Sequence, residues 1–278
     1  MTDDVDLYNT HYAHLTSTAQ REVRAETYDE DLGQSSWITL AEARDWFRLL
    51  RLTAGRRVLE VACGSGGVTR QMAKETGASA VGVDINVHGI DAANAAATRE
   101  GVSSRVTYQV VDAGAPLPFA DASFDALFCN DAMNHLPGRE AVFADWHRVL
   151  KPGGRLLVTD PIVVTGPLSN EEVRVRSSIG FYLFVPAGWN ERALERNGFV
   201  VEDVRDVTEA AASVSAKWRD ARARHREALV AFEGEQGFDG LQRFLDTVCT
   251  LSRERRLSRF AYLASKPDGA AASSPLPK

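Results

Sequence analysis

Apolar residues along this chain fall into two kinds of run. Short continuous runs at 58–62, 80–83, 105–111, 124–129 and 155–159 predict buried strands. Between them lie segments in which apolar positions recur every three or four residues. These predict helices over 68–76, ended by Gly77, and over 87–100, ended by Gly101. A third is predicted over 140–150, where Val142, Phe143, Trp146, Val149 and Leu150 make one face. Lys151-Pro152-Gly153-Gly154 stops that helix and turns into the fifth strand. Upstream, Thr39 and Glu42 have capping-box spacing, and Leu40, Ala43, Phe47 and Leu50 share a face, so a helix is expected near 39–51. Downstream, the pattern predicts a helix over 186–197, a strand over 199–207, helical structure over 208–256 broken near 234–240, and a strand over 259–264.

Strands alternating with helices imply a parallel sheet covered on both faces. Ligands of such sheets bind outside the carboxyl ends of the strands. That rule picks out residues 62–67, Asp84, Asp112, Asn130 and Asp160.

Composition narrows the field. The 278 residues are 44% hydrophobic and 25% charged, ordinary for a globular α/β protein with a sizeable core. A net charge of −6 speaks against a dedicated nucleic-acid binder. Cys63, Cys129 and Cys249 match no zinc spacing and are expected as reduced thiols in a cytoplasmic protein, with no metal site. The acidic start has no apolar stretch of the signal-peptide kind, and no run approaches the roughly 18 apolar residues of a membrane span.

The candidate chemistry begins where the first strand meets Ala62-Cys63-Gly64-Ser65-Gly66-Gly67. Glycines let a ligand approach the backbone, and the following helix offers unpaired N–H groups. Read from Ala62, the loop also fits a dinucleotide-binding pattern. Asp84, at the end of the second strand, is placed to accept ribose hydroxyls of any adenosine-bearing cofactor. Two further features discriminate. Glu60 is a carboxylate inside a buried strand, costly unless it has a partner such as a cofactor amino group. Asp112 and the Ala113 N–H, after the third strand, form an acceptor and donor pair suited to the adenine edge.

From Val58 to Pro161 the chain resembles the class I S-adenosylmethionine-dependent methyltransferases. The likeness is to the small-molecule branch that includes ubiquinone/menaquinone, sarcosine/dimethylglycine and natural-product enzymes. It rests on Glu60-Val61-Ala62-Cys63-Gly64-Ser65-Gly66, Gly82-Val83-Asp84-Ile85, Asp112-Ala113, Leu117-Pro118-Phe119 with Phe124-Asp125, and Arg148-Val149-Leu150-Lys151-Pro152-Gly153-Gly154. Ala62 stands where the family usually has its first loop glycine. The resemblance implies a Rossmann-like, seven-stranded, mostly parallel sheet whose last strand runs antiparallel between its neighbours. It further implies S-adenosyl-L-methionine as cofactor, with Glu60, Ala62 and Gly64 along the methionine part, Asp84 on the ribose, Ile85 packing on adenine, Asp112 and Ala113 at the adenine edge, and Asn130 at the methyl end through its backbone. Tyr28, Ser36 and Trp37 resemble lid residues that close over the cofactor, with Trp37 equally suited to anchoring a helix. The expected organisation is an N-terminal helical lid at 1–52, a cofactor-binding core at 53–207, a helical insert at 208–256 contributing to the substrate pocket, the last strand at 257–265 and a disordered tail at 266–278.

Methyl transfer from a sulfonium is an in-line displacement that needs proximity, alignment and dryness, and no metal. A hydroxyl acceptor gains from a general base. His135, past the fourth strand, is the leading base, with Asp160 after the fifth strand as its orienter; a pocket-shaping histidine is the other reading. Phe181-Tyr182-Leu183-Phe184 is a candidate wall for the acceptor, and the arginine-rich run 218–226 a solvated helix face or an anion receiver. The partner expected is a small-molecule methyl acceptor in natural-product or other specialised metabolism, methylated on O, N or C. The alternatives are a non-methylating protein of this fold, either a cyclase or a binding module, and a nicotinamide-dependent oxidoreductase, against which Glu60 and Asp112-Ala113 speak. An RNA or protein acceptor is disfavoured, because Asn130-Asp131-Ala132-Met133 lacks the asparagine-proline-proline-aromatic motif used on planar nitrogens.

Overall fold

The computed structural model describes residues 7–268. The sheet is built from β1 (Arg57–Val61), β2 (Ser79–Asp84), β3 (Val106–Val110), β4 (Phe124–Cys129), β5 (Leu150–Val164), β6 (Val185–Pro186), β7 (Val200–Asp206) and β8 (Leu257–Ser265). Its order is β3-β2-β1-β4-β5-β8-β7, with β6 added beside β5. β1 to β5 pair in parallel, and β8 runs antiparallel to both β5 and β7. This is the Rossmann-like arrangement, with the two-residue β6 as an eighth strand beyond the expected seven. Alternate residues of the buried strands feed opposite faces, as a pleat requires. Val58, Ala126 and Phe128 join Trp46, Met72 and Ile90 on one side, and Leu59, Val61 and Leu127 join Phe143, Trp146 and Leu194 on the other.

The helices are α1 (Leu7–Ala13), α2 (Thr18–Thr27), α3 (Leu40–Leu49), α4 (Gly67–Thr76), α5 (Val87–Arg99), α6 (Arg139–Val149), α7 (Asn170–Arg176), α8 (Trp189–Arg196), α9 (Thr208–Arg224) and α10 (Arg226–Arg253). Thr39 caps α3 by accepting from Glu42 N at 3.2 Å, and Asn86 caps α5 by accepting from Gly89 N at 3.0 Å. α8 starts three residues later than the pattern predicts. Pro186 is drawn into β6, and Gly188 at φ 80° makes the turn into the helix. In α10 the break falls at Gly234 alone (φ 71°, ψ 164°), and Gly237 and Gly240 remain helical.

A third apolar cluster lies off the sheet. Val23, Tyr28 and Trp37 from the N-terminal segment pack with Trp218, Leu229, Phe238 and Phe244 of α9 and α10. The expected disordered tail begins too early: Lys266 is tied down, donating to the carbonyls of His147 and Leu150 at 2.7 and 2.8 Å. The rest of that expectation, from residue 269 on, and the first six residues of the expected lid lie outside the described residues.

Candidate active site

β1 ends in the glycine loop, where Ala62, Gly64 and Gly66 take φ of 57°, 54° and 68°. A Cβ on Gly64 would lie 2.3 Å from the Tyr12 hydroxyl, so a larger residue there would push the Tyr12 ring off the loop. Ala62 holds the same left-handed conformation despite its Cβ, which costs roughly 1–2 kcal/mol. Asp84, at the end of β2, clamps this loop to the next turn. Its Oδ2 accepts from Gly64 N and its Oδ1 from Asn86 N, both at 2.8 Å. Burial raises its pKa, and the N–H donors hold that rise back.

Glu60 is buried in β1, with the Thr69 hydroxyl donating to its Oε2. Burial outweighs that bond and the nearby Arg70 charge, and pushes its pKa up to about 8. Asp112 Oδ1 accepts from Gly114 N at 2.8 Å, which fixes the turn that presents Ala113. Ile85 is 68% exposed, an apolar side chain left open beside two carboxylates. These residues line one cleft of about 800 Å³, together with Tyr12, the loop 62–65 and Asn130. That size suits a small-molecule or cofactor site. The donor set fits an adenosine cofactor carrying an amino group: acceptors after β2 and β3, an open apolar side chain between them, and a carboxyl of raised pKa deeper in.

Asn130 lines the cleft, and its side-chain Oδ1 accepts from Arg259 Nη2 at 3.1 Å. Arg259 is fully buried and also binds Asp131 at 2.6 Å and Glu42 at 2.7 Å. Asp131 in turn accepts from Trp37 N at 3.0 Å.

A smaller chamber of about 40 Å³ adjoins the cleft, and Tyr8, Ser35, Ser36, Asp131, His135 and Ile179 line both. His135 stands at this seam, on the turn Met133–His135, between the rings of Tyr8 and Tyr182. Its Nδ1 lies 3.0 Å from the Phe181 carbonyl, and its Nε2 lies 3.1 Å from the Tyr8 hydroxyl. A carbonyl only accepts, so Nδ1 carries the proton and Nε2 holds the lone pair that the Tyr8 hydroxyl donates to. Burial lowers the His135 pKa to about 4; the Phe181 carbonyl opposes this, and the Arg176 charge adds to it.

Asp160 does not orient His135. β5 runs on to Val164, so Asp160 lies within the strand rather than after it, and it is fully buried. Its carboxylate binds Arg139 Nη1 at 2.5 Å and Asn190 Nδ2 at 2.9 Å. The Phe181 carbonyl holds the imidazole instead. Among the expected lid residues, Ser36 lines both cavities and Trp37 only the inner chamber. Tyr28 lines neither: it is buried in the helical cluster, with its hydroxyl donating to Ser36 O at 2.8 Å. The aromatic segment divides. Phe181 is 54% exposed, Tyr182 lines the chamber and Phe184 packs elsewhere. In the arginine-rich run, Arg222 is buried against Glu233 and Arg219, Arg224 and Arg226 pair with carboxylates, so the run is no open anion receiver.

The side chains not singled out from sequence are Tyr8, Tyr12 and Asp131. Tyr8 and Tyr12 stand four apart on α1, one helical face, and that spacing was the available signal. Among the described residues no cluster of side chains suits a metal ion, and no helix is long and apolar enough to cross a membrane.

Comparison with known proteins places the chain among methyltransferases. Residues 59–158 match the methyltransferase domain family. The chain is 31% identical over 227 residues to 27-O-demethylrifamycin SV methyltransferase of Amycolatopsis mediterranei, covering 79% of this chain and 80% of that one. It is 38% identical over 124 residues to the methyltransferase GfsG of Streptomyces halstedii, spanning 45% of this chain and only 44% of the relative's length. Among solved structures it is similar to a phosphoethanolamine N-methyltransferase of Haemonchus contortus in complex with phosphomonomethylethanolamine and S-adenosylhomocysteine. That match has a TM-score of 0.77 and 25% identity, and covers 94% of this chain and 60% of the other.

Proposed function

This chain belongs to the S-adenosylmethionine-dependent methyltransferase family, and on that premise we propose that it methylates the oxygen of a small molecule with an acidic hydroxyl, such as a phenol. The relative that acts on 27-O-demethylrifamycin SV supports an oxygen acceptor and a natural-product setting. The observation that carries the reading is His135, held in one tautomer with Nε2 at the seam of the two cavities.

S-adenosylmethionine, when bound, supplies an electrophilic methyl group on a sulfonium. Glu60, Asp84, Asp112 and the 62–67 loop would hold it, with Ile85 against its base. The chain's own task is then to place and deprotonate the acceptor. An acceptor hydroxyl at the seam gives its proton to His135 Nε2, in place of Tyr8 or through the Tyr8 hydroxyl, which passes its own proton on. The Phe181 carbonyl stabilises the imidazolium through Nδ1–H. A base of such low pKa serves a phenol better than an aliphatic alcohol, because the proton has less far to climb in free energy. Tyr8 and Tyr12, on α1, cover the seam and the loop and exclude water.

His135→Ala is expected to cut turnover about 100-fold or more. Affinity for S-adenosylhomocysteine, measured by calorimetry, should stay within about twofold, since no cofactor-holding side chain is touched. Turnover is read as S-adenosylhomocysteine formed with phenolic acceptors. Unchanged turnover would remove His135 as the base.

A further inference from the structure

Seven arginines are buried among the described residues, and six have a carboxylate partner. Arg24 pairs with Asp31, Arg70 with Glu100, Arg139 with Asp160, Arg155 with Glu202, Arg222 with Glu233, and Arg259 with Glu42 and Asp131. Arg176 is the exception. It sits at the end of α7 with 2% of its surface exposed, and its Nη1 has no hydrogen-bond partner. Its guanidinium lies 5.1 Å from the Tyr182 ring centre and 4.8 Å from that of Phe244, and it also contacts the Tyr182 hydroxyl. Rings attract a cation but offer no lone pair to an N–H donor. A buried charge left without a counter-ion is costly, and proteins keep one where a ligand completes it.

The place of this charge matters. Arg176 lines the inner chamber, whose wall also holds His135, Tyr8, Tyr182 and Trp218. We infer that Arg176 anchors a carboxylate on the methyl acceptor, so that the chamber selects an aromatic hydroxy acid over its neutral counterparts. This rests on reading the seam as the site of methyl transfer. The free Nη1 offers its N–H to a carboxylate oxygen, and the chamber of about 40 Å³ has room for that carboxylate, with the ring that carries it at the seam toward the larger cleft. An acceptor held at Arg176 and at His135 is fixed at two points, which orients its hydroxyl. The bound carboxylate also neutralises the Arg176 charge that lowers the basicity of His135.

The test uses the full chain saturated with S-adenosylhomocysteine. Benzoate, 4-hydroxybenzoate and 3-(4-hydroxyphenyl)propionate are titrated by calorimetry, each beside its primary amide. At least one acid is expected to bind wild type tenfold or more tighter than its amide. Arg176→Met should lose tenfold or more for that acid and less than twofold for the amide, and Arg176→Lys should recover part of the loss. Acids and amides binding alike, no acid binding at all, or full acid affinity in Arg176→Met would overturn the assignment. Should Arg176→Met fail to fold, the wild-type comparison and Arg176→Lys decide the matter. The preceding titration separates the two ideas. Failure of wild type to bind S-adenosylhomocysteine would sink the methyl-transfer reading, whereas binding without acid selectivity sinks only the carboxylate.

Discussion

At the scale of the residue, Glu60 and His135 show how burial sets chemistry. Burial opposes charge on both, raising the carboxyl to about 8 and lowering the imidazole to about 4. Near neutral pH both are therefore uncharged before ligands bind. For Glu60 the folded state binds a proton more tightly than the unfolded chain does. Its contribution to stability is thus complete below about pH 4.5 and lost as pH rises through about 8. A cationic amino group arriving beside Glu60 favours the carboxylate, so cofactor binding at pH 7 should release a proton. Calorimetry of S-adenosylmethionine binding in phosphate and in Tris, whose ionisation enthalpies differ, reads this directly. Wild type should show a buffer-dependent heat approaching one proton, and Glu60→Gln almost none. Without cofactor, Glu60→Gln should also flatten the fall in thermal midpoint between pH 5 and 8. Equal heats in the two buffers for wild type would contradict the account.

At the scale of the element, the site is held by long-range ties rather than by single strands. Arg259 on β8 joins Glu42 on α3 to Asp131 after β4, and Asp131 receives the Trp37 N–H from the N-terminal segment. Arg259→Met strands two carboxylates and is expected to destabilise the fold by about 3–5 kcal/mol. Urea denaturation measures it, and a loss below about 1 kcal/mol would show the network to be dispensable. The elements themselves were largely legible. The strand runs at 58–62 and 124–129 and the helix near 87–100 carry their own periodicity, and the structure has them within a residue or two. The acids after β2 and β3 were legible because the chain places them at strand ends. Asp160 was misread because the bulge that lengthens β5 depends on pairing with β8, about a hundred residues away. Tyr28 was misread for a similar reason. Its burial partners lie in α9 and α10, and no local pattern records such a contact. Arg176 was invisible in the sequence, since what marks it is the absence of a partner in space.

At the scale of the whole molecule, two regions divide the work. The sheet edge supplies the cleft with the glycine loop and four acids, Glu60, Asp84, Asp112 and Asp131. The N-terminal helices and the pair α9 and α10 pack on one another, off the sheet, and with α7 they wall the inner chamber. α1 spans both, with Tyr12 over the loop and Tyr8 over His135. On the proposed reading, cofactor and acceptor meet where the two regions touch, and changes in α7, α9 or α10 should alter the acceptor without disturbing the cofactor. The central claim is that the cleft binds S-adenosylmethionine through Asp84. Its most direct test is calorimetric titration of S-adenosylhomocysteine into wild type and Asp84→Ala. Wild type should bind one equivalent. The variant, missing charged hydrogen bonds worth about 1.5–3 kcal/mol each, should bind at least about tenfold more weakly. Equal affinity in the two proteins, or no binding to wild type, would contradict the account.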